Sequence, residues 1–152
     1  MLMSHYQWMR DQGHQQRASG ALAKVVEQVG DDAGRLSSVA RDLMTDKETA
    51  GKFDDVALAL TQHMGQVKSA DKRRSRIDHN HLDTAALANF LNGKVEAAIK
   101  LQEQAIAKGG NGDDFRRRLR TYEAAQVALA KVNRGVALPA ATMVAANDED
   151  EE

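Results

Sequence analysis

The densest run of chemistry-bearing side chains is Asp78-His79-Asn80-His81-Leu82-Asp83. Imidazoles two residues apart on a strand, beside a carboxylate, suit a zinc ion. On a helix those residues point to different sides, and the chain has no His-x-x-x-His pair. The competing reading is a helix start. Asn80 then serves as N-cap, and Asp83 favours the positive end of the helix dipole. We adopt that reading, and expect neither a metal nor a cofactor.

Two basic clusters follow: Lys72, Arg73, Arg74 and Arg76, then Arg116, Arg117, Arg118 and Arg120. Residues 68–76 hold five basic residues and one acidic residue, Asp71. Such clusters can contact phosphates. Nucleic-acid binding generally needs a broader basic field, with exposed aromatics for single strands. The nearby aromatics, Phe115 and Tyr122, fall on an apolar stripe instead. The expectation is therefore solvated surface, with nucleic acid the weaker alternative.

Catalytic signatures are missing. There is no G-x-S-x-G, no phosphate-binding glycine loop followed by Lys-Ser/Thr and no H-E-x-x-H. Gly109-Gly110-Asn111-Gly112 reads as a helix connector. With no cysteine, disulfides, thiolate zinc sites and thiol catalysis are excluded. No enzyme activity is expected.

The elements that must carry these residues are helices. A chain of 152 residues is about one domain long. With 4% aromatics and a single proline, a sandwich or barrel rich in turns is disfavoured. Apolar stripes at helical spacing run through Leu22, Val25, Val26 and Val29, then Leu36, Val39, Ala40, Leu43 and Met44. A third holds Phe53, Val56, Ala57, Leu60, Met64 and Val67, and a fourth Leu82, Ala85, Ala86, Asn89 and Phe90. The fifth is Val95, Ala98, Ile99, Gln102, Ala105 and Ile106; the sixth is Phe115, Leu119, Tyr122, Gln126 and Leu129. No strand is expected. The organisation is a helical extension over 1–20, weakened by Gly13 and Gly20 and packing on the second stripe. A helical domain spans 21–132, and an acidic tail over 133–152 is expected to stay disordered. Removing the five acidic residues 148–152 leaves 17 acidic residues against 21 basic ones.

The chain also repeats itself. LSSVARDLMT from Leu36 matches LDTAALANFLN from Leu82, and GKFDDVALALTQHM from Gly51 matches GKVEAAIKLQEQAI from Gly93. Each unit reads as a helix, a Gly-Lys turn and a second helix. Ala40, Ala86, Ala98 and Ala105 are small enough to let helix backbones approach. Stacked pairs share a core that one pair cannot build.

In Leu82, Ala86, Phe90, Gly93, Ala98 and Ala105 the second unit resembles the tetratricopeptide repeat. Gly110 stands where that family usually has proline, and Val56 and His63 stand where it prefers alanine. Residues 36–125 also resemble the helical segment that follows a thioredoxin-like domain in some bacterial proteins. The resemblance implies an all-α fold of antiparallel helix hairpins, about five to six helices in all. It also implies a concave groove lined by the first helix of each pair, and carries Ser37, Arg41, Asn80, Asp83 and Leu87 into that groove.

The expected function is a protein- or peptide-binding scaffold, with Arg41 offered to a ligand carboxylate and Leu87 to an apolar contact. The alternatives are a nucleic-acid-associated helical protein and a structural extension of a thioredoxin-like protein. The N-terminal dozen residues are too polar for a signal peptide, and residues 135–146 are too short to cross a bilayer, which takes about 20. A cytoplasmic location without membrane partners is the expectation.

Overall fold

The computed structural model describes residues 2–135, and among them there is helix but no strand. The chain runs α1 (Leu2–Asp11), α2 (Gln15–Val29), α3 (Ala33–Thr45), α4 (Asp54–Met64), α5 (Lys72–Ser75), α6 (His79–Leu91), α7 (Val95–Ala107) and α8 (Asp113–Asn133). That is more than the expected five to six helices. The excess comes from α5, a single turn in the basic loop, and from a clean division of the N-terminal region.

Gly13, at φ 75°, ends the first helix, whereas Gly20 sits inside α2. The boundary expected at residue 20 therefore falls within a helix. A mid-helix glycine costs about 1 kcal/mol, which α2 offsets by burying Ala18, Ala21 and Val25. The α1 helix packs chiefly on α2. It is also fastened to α4, where Asp55 accepts from the Tyr6 hydroxyl and from Arg10 Nη1 at 3.1 Å. Burial first, and the bond to Asp55 second, push the Tyr6 hydroxyl pKa up to about 12. At the other end, Asn133 is the last residue of α8, and the expected disorder of the tail lies, from residue 136, outside the described residues.

Neighbouring helices pair most extensively as α6 with α7 and α3 with α4, and α4 and α3 both lean on α6. The four alanines picked out for close approach, Ala40, Ala86, Ala98 and Ala105, are all fully buried. The larger core joins α1–α4 to Ala85 and Ala88 of α6. A smaller one gathers Ala86, Ala98 and Tyr122, with Phe90 tilted at 32° against Tyr122 and 4.6 Å between ring centroids.

The sixth stripe is only half used. Tyr122 is buried, but Gln126 is exposed and Leu129 is 48% exposed, beside exposed Val127 and Val132. Over this stretch α8 stands off α7: Gln126, Leu129, Ala130 and Asn133 face Gly93, Val95 and Lys100 across an open space of about 670 Å³.

Asn92 closes α6, and Gly93 follows at φ 77°, so that the chain turns into α7 within three residues. Nothing lies within 4 Å of where a Gly93 side chain would begin. Gly93→Val should therefore cost backbone strain alone, about 1–2 kcal/mol. A thermal melt beside the parent checks this: an unchanged Tm shows that the turn relaxes at no cost.

Candidate functional site

The start of α6 determines the site. Asp78, not Asn80, is its N-cap: Asp78 Oδ1 accepts from the backbone N–H of Asn80 at 2.9 Å and of His81 at 3.0 Å. His81 Nδ1 in turn accepts the Asp78 N–H at 3.1 Å, completing a capping box with histidine in the place of the usual glutamate. Asp three residues before His was the sequence signal for this cap. Burial alone would raise the Asp78 carboxyl, but the His81 N–H and the nearby imidazoles outweigh it and hold it below the usual carboxylate range. His79 is turned elsewhere, its ring 5.8 Å from that of Phe115.

One turn on, Asp83 is carried inward, its side chain 3% exposed. A lone buried carboxylate would be costly, and three donors from three helices offset that cost. Arg41 Nη1 of α3 donates to Oδ2 at 2.7 Å. Arg118 Nε of α8 donates to Oδ1 at 2.6 Å, and Gln102 Nε2 of α7 donates to the same oxygen at 2.9 Å. Gln102 is fully buried and also donates to the Phe115 carbonyl at 3.1 Å. The Arg118 guanidinium lies over the Phe115 ring, 5.2 Å from its centroid. Phe115 can sit so close because Gly110 has no side chain: a Cβ there would fall 2.6 Å from its ring. Tyr122 is buried in the same region. Its pKa is pushed up to about 12, by burial first and then by the Asp83 charge.

Above this cluster, a cleft of about 410 Å³ opens between α3, α6 and α8. Ser37, Arg41, Asn80 and Asp83 all line it, joined by Thr84, Phe115 and Arg118. Four of the five groove residues read from the sequence thus come together. Leu87 does not; it packs against the larger core. Arg41, assigned to a ligand carboxylate, already has one in Asp83.

The basic surface changes as well. Arg118 leaves the cluster of α8 and belongs to the cleft. Arg116, Arg117 and Arg120 remain exposed, with Arg117 paired to Asp114 at 3.1 Å. Lys72, Arg73, Arg74 and Arg76 lie on α5 and its C-cap, exposed as expected.

Gln102 and Arg118 were missed as partners of Asp83. The signal for Gln102 was an amide on the fifth apolar stripe, where a buried polar group implies a partner. Arg118 offered none, being one of four arginines within five residues. Among the described residues, no helix is long and apolar enough to cross a membrane. No family model, curated protein or solved structure matches the chain.

Proposed function

We propose that the chain is a protein- or peptide-binding module, built from helix-hairpin repeats similar to tetratricopeptide units and without catalysis of its own. The observation that carries this reading is the shared cleft: Ser37 and Arg41 of α3 meet Asn80 and Asp83 of α6 on one concave surface. The pairings of α3 with α4 and of α6 with α7 support the repeat.

The cleft offers hydroxyls from Ser37 and Thr84, the exposed amide of Asn80, the ring of Phe115 and the guanidinium donors that Arg41 and Arg118 do not spend on Asp83. These suit an extended peptide whose backbone needs donors and acceptors. The nucleic-acid alternative is weakened by Arg118, which is directed onto Asp83 and so withdrawn from the exposed basic cluster of α8.

Peptides selected against the whole chain should bind saturably and perturb the amides of Ser37, Asn80 and Thr84. The Asn80 side chain makes no contact within the fold that α6 depends on, since Asp78 supplies the cap. Asn80→Ala should leave the Tm in place and weaken the selected peptide about threefold to tenfold, the loss of one hydrogen bond. A footprint on another face, or affinity that collapses with salt as phosphate contacts do, overturns this reading.

A further inference from the structure

A second cavity, of about 850 Å³, lies where the basic loop meets the start of α6 and the end of α7. Its cations are Arg73, Arg76 and Lys108, with the imidazoles of His79 and His81 beside them. The one carboxylate on its wall, Asp78, is engaged by the two backbone N–H groups it caps. Among the described residues, neither Arg73 nor Arg76 forms an ion pair with a carboxylate; the loop's acidic residue, Asp71, sits 4.0 Å from Arg74.

The cavity is braced. Lys108 Nζ donates to the Ile77 carbonyl at 3.1 Å, tying the loop to the end of α7 and leaving two of its three N–H donors unspent. His81 Nδ1 accepts a backbone N–H, which leaves Nε2 as the ring nitrogen not used in the cap. His79 is held against Phe115.

We propose that this cavity binds the phosphoryl groups of a small phosphorylated ligand. Donors from the loop, α6 and α7 surround one space, more than the two oxygens of a carboxylate can use. A phosphoryl group presents three acceptor oxygens and close to two negative charges at neutral pH. Guanidinium groups pair with such oxygens bidentately. The volume falls within the range of small-molecule sites. This site goes beyond the peptide cleft, which it adjoins through Asp78 and His81.

Inorganic pyrophosphate is the probe, titrated into the full chain at constant ionic strength while backbone amides are followed by NMR. Saturable one-to-one shifts centred on Arg73, Arg76, His79, His81 and Lys108 are expected. The double variant Arg73→Gln/Arg76→Gln should weaken binding about tenfold or more, since each removes a charged hydrogen bond. Arg116→Gln/Arg120→Gln, on exposed α8, should leave it unchanged. All four positions are exposed, so the melting temperature should hold in both variants. Shifts that do not saturate, an equal loss in the α8 variant, or the same response to acetate overturns the proposal. So does a single-stranded oligonucleotide that binds where pyrophosphate does not.

Discussion

Asp83→Ala should lower the stability of the fold by about 3 kcal/mol, the lower end of what removing one member of a buried ion pair costs. The side chain is 3% exposed, yet its partners Arg41 and Arg118 are 35% and 27% exposed and can turn partly to water. Gln102 has no such escape: it is fully buried, and the Phe115 carbonyl would be its remaining acceptor. Because the two arginines share one carboxylate, their effects should not add. Either one alone still neutralises Asp83; Arg41→Ala with Arg118→Ala should cost more than the two separately. Urea denaturation midpoints of the four variants check this. If Asp83→Ala melts with the parent, the carboxylate is not what joins α3, α7 and α8, and the cleft must be held by apolar packing alone.

Asp83 also shows where sequence reading succeeds and where it stops. Spacing puts Ser37 and Arg41 on one side of α3, and Asn80 and Asp83 on one side of α6, because residues three and four apart share a side. That the two sides line a common groove is what the resemblance to tetratricopeptide units implies, not the spacing. Which charge meets which requires the path of α8, whose side of the α6–α7 pair is fixed by Phe115 closing over Gly110 and by Tyr122 packing on Phe90. The second of these joins residues 32 apart and has no local signature. The same limit explains Leu129. Its spacing continues the apolar stripe faultlessly, but periodicity carries no information on how closely the partner helix approaches, and α7 faces Leu129 across an open space. Asp78 is a different case: the cap was legible, and Asn80 displaced it in the reading only because both residue types cap helices equally well.

Ala98→Leu should cost about 1–3 kcal/mol, the range for forcing extra methylenes into a filled core. Ala98 and Ala86 are both fully buried and lie with Tyr122 in the smaller core, where Phe90 leaves no slack against the Tyr122 ring. One turn further along α7 is Gln102, whose bond to Asp83 fixes the depth at which that helix sits. A leucine that pushed α7 outward would therefore strain the buried carboxylate cluster as well as the packing. Lys100→Leu is the matched control. Lys100 is exposed and pairs with Glu96 across one turn at 3.1 Å, a surface contact worth about 0–1 kcal/mol. Chemical denaturation of the two leucine variants beside the parent separates the cases. Equal midpoints would mean that α6 and α7 do not cross at Ala98. The small-residue pattern shared by the two units would then have no packing reason behind it, and the groove argued from that pattern would lose its footing.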